Sequence, residues 1–281
     1  MNNFGSWPFP VRQLEDMPES LARIVRPFVD EPLQPAQVLS VESEDDPRIS
    51  DADWKRAAGT QVLAIGDEAV VVARCANEGF DPIHGEVRYY ALDAWVLQLQ
   101  LLFGAIEILS ANVRRRELRV VFNTVGWRTV RESIMRLETI ALGGEQTTTV
   151  RGVEMPDVPA NFRHYLDAFL PAGETILASY FQPTFRKTLP HRKNLTVLAW
   201  AIVHTHRRVL LAYEPMPLVT APYSICAVNI LPQAYEKLDV RASGDEYRLA
   251  FGGYDGIANL RIADGQVANV AQLLQTIKLA S

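Results

Sequence analysis

An ordered repetition of segments constrains the fold of this 281-residue chain more than any other feature of its sequence. Each copy begins with a short amphipathic stretch, at Pro18–Val29 and again from Ala160, and then passes through a break into an apolar strand. Each copy ends in an amphipathic helical pattern, at Val130–Leu142 and at Val267–Leu279. This order predicts two diverged tandem copies of one β-rich unit. Two unrelated α+β domains with hairpins would share part of the same order.

Both copies also carry the same hairpin signal between these ends. Thr60–Arg74 predicts a strand, a polar turn at Gly66-Asp67-Glu68 and a second strand. Thr196–Tyr213 predicts the same arrangement, with its turn near His204–Arg207. Alternating strand patterns follow in both copies, at Arg116–Phe122 and at Glu246–Phe251.

Two motifs in the second copy resemble those of a known family. Ala201–Tyr213 is similar to a strand, T-x-x-R turn and strand, with Thr205 and Arg208 in the Thr and Arg places. Asn229–Val240 is similar to an I-P-x-x-x-I-x-x-V strand, with main positions at Leu231, Pro232, Tyr235 and Leu238. Together with the C-terminal helix, these motifs resemble the pleckstrin-homology-like superfold, in particular its bacterial and GRAM-type members.

The resemblance implies an α+β, mainly β fold of two tandem pleckstrin-homology-like barrels, each with antiparallel strands capped by a C-terminal helix. The first copy matches more loosely, because its turn at Gly66-Asp67-Glu68 lacks the Thr and the Arg. We expect an N-terminal tail at 1–16, a first unit with its leading helix at 17–142, a linker at 143–160 and a second unit with its leading helix at 161–281.

The loop after the first strand differs in charge between the two copies. In the second copy it carries the cations Arg186, Lys187, Arg192 and Lys193 together with His191, and in the first it is acidic, with Asp45 and Asp46 among its carboxylates. In pleckstrin-homology domains this loop commonly holds lipid phosphates, so the resemblance implies an anionic ligand at the basic loop. Alternatively, acidic and basic loops attract each other and orient self-association, or both are simply solvated.

The basic turn at Arg114 and Arg115 has two interpretations, an anion or acidic-peptide contact and simple solvation.

No catalytic or metal-binding pattern is recognisable in the sequence. It has no G-x-S-x-G, P-loop, H-E-x-x-H or C-x-x-C motif, and Cys75 and Cys226 lie in apolar runs that disfavour a thiolate. His204 and His206 have the spacing of some metal-ligand pairs, but no further ligand stands at a suggestive distance along the chain. We therefore expect a non-enzymatic protein with no cofactor and no metal.

Charge and composition limit the partners further. The net charge is −5 and the pI is near 5.6, so bulk electrostatics do not favour nucleic acid. Polar residues interrupt the apolar passages and the N-terminus lacks a signal-peptide pattern, which predicts a soluble, cytoplasmic protein. The expected role is binding of a protein partner or self-association. An anionic membrane surface is one alternative, and an enzyme or small-molecule site in the cleft between the two units is another.

Overall fold

Two strand-rich units make up the chain in the computed structural model, unit 1 at Met1–Glu145 and unit 2 at Gln146–Ser281. The structure describes residues 6–43, 59–75, 82–100, 103–113, 118–143, 158–159, 162–163, 166, 169–170, 174–189, 192–214, 225–244, 246–254, 257 and 259–280. Among these residues, no helix is both long enough and apolar enough to cross a membrane.

Unit 1 is built from two antiparallel sets of strands and two α-helices. Its elements are β1 (Ser6–Pro10), α1 (Glu19–Val25), β2 (Val38–Ser43), β3 (Gly59–Ile65), β4 (Ala69–Cys75), β5 (Ile83–Arg88), β6 (Ala94–Gln100), β7 (Phe103–Leu109), β8 (Arg119–Phe122) and α2 (Trp127–Ala141). The first set has the order β1-β2-β3-β4-β5, and the second pairs β6 with β7 and β7 with β8. Pro8 and Pro10 have no N–H to donate, which suits the position of β1 at a sheet edge.

Unit 2 contains a comparable series of strands and a C-terminal helix. Its elements are β9 (Ile176–Gln182), β10 (Phe185–Leu189), β11 (Arg192–Val197), β12 (Trp200–Thr205), β13 (Val209–Tyr213), β14 (Ile225–Ile230), β15 (Leu238–Ser243), β16 (Glu246–Phe251), β17 (Asn259–Ile262) and α3 (Val267–Leu279). Strands β9, β12, β13 and β14 pair in that order, β10 pairs with β11, and the third set has the order β15-β16-β17. All of these strand pairs are antiparallel.

The order of elements is the same in both units. A helical segment leads into a four-strand meander, β2–β5 in unit 1 and β9, β12, β13 and β14 in unit 2. A 3-10 turn, at Tyr89–Ala91 or Pro232–Lys237, then precedes three antiparallel strands and a closing helix. Unit 1 adds β1 at the sheet edge, and unit 2 inserts the β10–β11 hairpin. The mainly β architecture with a C-terminal helix is confirmed, but no sheet formed by the described residues closes on itself.

The predicted amphipathic patterns place apolar residues in the core. Leu21 and Val25 of α1 are fully buried, as are Val270 and Ile277 of α3. On α2 the inward residues are Val130, Ile134 and Leu137. One pattern was wrong in detail: Asn229–Val240 was expected to be a strand, but Pro232 ends β14 and begins the 3-10 turn before β15, because proline lacks the N–H that a ladder needs.

A buried glutamine joins the two strand sets in each unit. In unit 1 the Gln61 side chain accepts a hydrogen bond from the Val121 N–H at 3.0 Å and donates one to the Val121 carbonyl at 3.4 Å. In unit 2 the Gln182 amide donates to the Arg261 carbonyl at 2.8 Å and accepts from the Ala263 N–H at 2.7 Å. Each glutamine thus hydrogen-bonds backbone groups of the last strand, or of the residue just after it, as a neighbouring strand would.

Candidate binding edge of unit 2

The basic loop predicted in unit 2 is largely a hairpin. Strands β10 and β11 pair with Arg186 opposite Thr196, Lys187 opposite Leu195 and Leu189 opposite Arg192, with a register shift between Lys187 and Leu189. The prediction of a loop was therefore wrong, since these polar residues form strands. Arg186 is exposed, Arg192 and Lys193 lie on β11, and His191 lies outside the described residues.

Four other charged residues predicted from the sequence as interaction residues, Asp45 and Asp46 of the acidic loop and Arg114 and Arg115, lie outside the described residues. Their roles remain predictions.

The Thr and Arg of the T-x-x-R turn have structural roles. The Thr205 hydroxyl accepts hydrogen bonds from the N–H groups of Arg207 and Arg208 at 3.2 and 3.1 Å, which holds the turn between β12 and β13. The Arg208 side chain is fully buried, donates to Asn229 Oδ1 at 2.7 Å and lies 3.0 Å from Glu174 Oε1. Both ions are thus desolvated and paired with each other.

The same guanidinium holds the end of the leading helical segment. Arg208 Nη2 donates to the carbonyl of Phe169 at 2.9 Å. In unit 1 the corresponding carbonyl, that of Phe28, lies so close to Gly66 that a Cβ there would come within 2.0 Å of its oxygen. The two turns thus contact corresponding carbonyls in different ways, through a guanidinium in unit 2 and through a close backbone approach in unit 1.

Distant residues also hold the unit 1 turn in place of a Thr–Arg pair. The Tyr89 hydroxyl donates to the Gly66 carbonyl at 2.8 Å, and Arg136 of α2 lies 3.4 Å from Asp67. Arg136 also donates to the Ile65 carbonyl at 3.3 Å. Burial raises the pKa of Tyr89, and the Arg136 charge opposes that rise, so the phenol keeps its proton and remains a donor.

The two candidate metal-ligating histidines do not act together. His204 is buried on β12 with its ring nearly perpendicular to that of Tyr235, and burial lowers the pKa of its imidazole. His206 is exposed in the turn, where its Nδ1 accepts from the Thr175 N–H at 3.2 Å. The described residues contain no group of three or more His, Cys, Asp or Glu side chains arranged to hold a metal ion.

An available backbone edge lies on β15. The hairpin register pairs Ser243 with Glu246 across a two-residue turn, which makes that pair hydrogen-bonded and leaves the backbone groups of Leu238, Val240 and Ala242 facing away from β16. We call this side the β15 edge. The Leu238 N–H donates to the Tyr235 carbonyl of the preceding 3-10 turn, so at Leu238 only the C=O is available. The Val240 N–H is instead bonded by the neighbouring Asp239 carboxylate, at 2.9 Å, as expected for a donor that faces away from the ladder. In the sheet order β15-β16-β17, β15 lies at one end.

A groove of about 280 Å³ runs between β15 and α3. Its apolar walls are Val240 on the strand and Ala271, Leu274 and Leu279 on the helix. Leu279 is 81% exposed, which leaves one wall of the groove open to solvent.

Charged groups line the strand side of this groove. Glu236 lies beside Lys278 of α3, at 3.8 Å between Oε2 and Nζ, and Asp239 is exposed. Arg241, also on β15, is exposed and stands directly opposite another cation, Arg248 on β16. Arg248 is bonded to Glu246, whereas Arg241 has no ion pair within the described part of the chain. The edge therefore presents an anion and a cation two residues apart.

None of these edge residues was predicted to form a site. Leu238 and Val240 come at the end of a motif strand, where alternation predicts which side chains are buried but not which hydrogen-bonding side of the strand has no partner. The available signal was the alternation Leu-Asp-Val-Arg-Ala, which places both charges on one face of a strand.

Comparison with protein-family models, curated proteins and solved structures finds no match to this chain.

Proposed function

We propose that this chain is a non-enzymatic binding protein made of two pleckstrin-homology-like units that arose by duplication. Three features support the proposal. The units share one order of elements, and each joins its two strand sets through a buried glutamine. In each unit a hairpin turn, that of β3–β4 or that of β12–β13, also contacts the carbonyl of Phe28 or Phe169. The T-x-x-R residues serve to fix the fold, which leaves ligand binding to other surfaces.

The proposed binding site is the β15 edge, which receives an extended segment of a protein partner as an added strand. The observation that carries this proposal is the outward-facing backbone of Val240 beside the groove along α3. An added strand would take the Val240 N–H from Asp239 and supply the backbone affinity. Its alternate side chains would face the apolar groove walls and provide selectivity.

Peptides displayed on phage and selected on the full chain would test this site. Val240→Pro removes the outward donor without removing a hydrogen bond to β16, and Val240→Thr is the matched control because it keeps the N–H and the β-branched shape. We expect selected peptides to bind Val240→Pro at least about tenfold more weakly and Val240→Thr within about twofold.

Hydrogen exchange on the wild-type protein provides a second measurement that does not depend on the proline variant folding. Bound peptide should protect the amides of Val240 and Ala242. Equal binding by both variants, together with unprotected β15 amides, would remove the proposal.

A second candidate function is recruitment to an anionic membrane surface by the β10–β11 hairpin. The observation that favours it is a separate two-stranded sheet carrying exposed Arg186 together with Lys187, Arg192 and Lys193. Each cation contributes about 1 kcal/mol near such a surface. The protein should co-sediment with phosphatidylserine vesicles and not with phosphatidylcholine vesicles. The double variant Arg186→Glu/Arg192→Glu should abolish this difference. Absence of lipid-dependent pelleting in the wild type would exclude this function.

A further inference from the structure

We propose that the strand added at the β15 edge is β15 of a second copy of this chain, in an antiparallel dimer whose two-fold axis passes beside Val240. This inference rests on the proposed function and names the partner at the same site. Three observations support it: which residues direct their backbone groups away from β16, the charges on β15, and the position of α3.

The backbone restricts the possible registers. The backbone groups that face away from β16 are those of Leu238, Val240 and Ala242, and the Leu238 N–H among them is bonded to the Tyr235 carbonyl, so pairs across the seam must join these three residues and use Leu238 only through its C=O. Centred on Val240, the two strands pair Val240 with its own copy and Leu238 with Ala242 of the other copy. This register engages the N–H and C=O of Val240, the C=O of Leu238 and the N–H of Ala242 in both copies, whereas registers centred on Leu238 or Ala242 shift part of the pairing beyond the strand ends.

The charges select the same register. With Val240 at the centre, each Asp239 stands directly opposite Arg241 of the other copy, in non-hydrogen-bonded pairs where side chains approach most closely. Two other registers, centred on Asp239 or on Arg241, also pair only residues whose backbone groups face outward. Both of them place like charges opposite each other. In the single chain Arg241 faces Arg248, so an incoming carboxylate also relieves a repulsive pair.

Dimerisation would exchange one set of contacts for another. The Asp239 carboxylate now holds the Val240 N–H at 2.9 Å. In the dimer the Val240 carbonyl of the other copy takes that N–H, which releases Asp239 to pair with Arg241. Asp239 therefore covers the edge in the monomer and completes the seam in the dimer.

The helix position is compatible with this seam. A two-fold axis between antiparallel strands is perpendicular to the sheet, so both copies of α3 lie on the same side. The side chains of Leu238 and Val240 point toward that side, since Leu238 is buried and Val240 lines the groove. The seam thus places Val240 of one copy beside the groove of the other and reduces the exposure of Leu279.

Charge reversal on the full chain tests the register. Asp239→Arg or Arg241→Asp replaces two attractive pairs by two repulsive ones, and we expect either change to raise the dimer Kd at least about tenfold in sedimentation velocity. The double variant Asp239→Arg/Arg241→Asp restores opposite charges in the same register and should restore the dimer. Arg23→Asp, an exposed arginine on α1 in unit 1, is the control for the change in net charge.

A disulfide at the axis gives a second, independent readout. Hydrogen-bonded partners lie about 5.5 Å apart between Cα atoms, within disulfide range, so Val240→Cys should form a covalent dimer on mild oxidation. Ala242→Cys should not, because its two copies lie about 14 Å apart in this register. The wild type controls for Cys75 and Cys226.

The outcomes separate this inference from the proposed function. A monomer at all concentrations, with no cross-link at Val240→Cys, overturns the dimer, and the proposed function survives if Val240→Pro still weakens peptide binding. A dimer that neither single charge reversal weakens overturns this register. Equal peptide binding by Val240→Pro and Val240→Thr, together with unprotected β15 amides, removes the proposed function and with it this inference.

Discussion

Replacement of Gln61 by leucine should show how unit 1 is held together. Gln61 is 1% exposed on β3, and its amide forms both hydrogen bonds to Val121 on β8. Val121 pairs with Ala105 at a position where its own N–H and C=O face away from β7. The glutamine therefore satisfies two buried backbone groups that the β6–β8 strands do not.

The expected cost follows from those two groups. A buried backbone group left without a partner costs about 1–3 kcal/mol, and leucine leaves both the N–H and the carbonyl of Val121 in that state. Leucine fills similar space and adds apolar contact, which offsets part of the loss. We expect Gln61→Leu to lower the free energy of unfolding of unit 1 by about 2–4 kcal/mol.

Amide hydrogen exchange is the appropriate assay, because a chain of two units need not unfold in one step. The Val121 amide should exchange at least about thirtyfold faster in Gln61→Leu, and denaturant unfolding should shift in the same direction. The control is Gln98→Leu on β6, a half-buried glutamine whose amide makes no hydrogen bond within the described part of unit 1. Equal stability of the two variants and unchanged exchange at Val121 would refute the bridging role.

Three further predictions concern a buried ion pair, a turn glycine and a buried histidine. Arg208→Met should cost about 3–5 kcal/mol by leaving Glu174 buried without its partner, and the double variant Arg208→Met/Glu174→Met should be more stable than the single one in denaturant unfolding. Gly66→Ala should cost at least about 1 kcal/mol, because its Cβ would come within 2.0 Å of a backbone oxygen; an unchanged melting temperature would contradict this contact. Because burial lowers the pKa of His204, the unfolded chain binds a proton that the folded one does not, so stability should fall as the pH drops below about 6.5. His204→Leu should flatten that dependence in urea titrations, whereas His206→Leu on the exposed turn should leave it in place.

Local patterns predicted the parts of the fold that depend on local sequence. The helices α1, α2 and α3 follow from apolar residues at helical spacing, and the hairpins β3–β4 and β12–β13 follow from apolar runs separated by polar turns. Leu21, Leu137 and Ile277 are buried as their periodicity predicts. These features need no information from distant parts of the chain.

Elements without such periodicity were harder to predict. Residues 185–197 carry four cations and no regular alternation, so composition favoured a loop, yet the strands Phe185–Leu189 and Arg192–Val197 pair with each other. Arg208 carried a motif resemblance, but the sequence did not show its burial, because the residue that compensates its charge, Glu174, lies 34 positions away. A charged side chain is buried or exposed according to partners that only the fold brings together.

The candidate site depends most on tertiary structure. The sequence alone determined the amphipathic helices, the hairpins β3–β4 and β12–β13, and the alternation of Asp239 and Arg241 around Val240 on one strand, because each of these patterns depends only on neighbouring residues. Only the fold decided that β15 lies at the end of its sheet, that α3 runs beside it, and that Gln61 and Gln182 join strands far apart in sequence. A strand has two hydrogen-bonding sides whatever its sequence, and the packing of the whole unit decides which of them remains available to a partner.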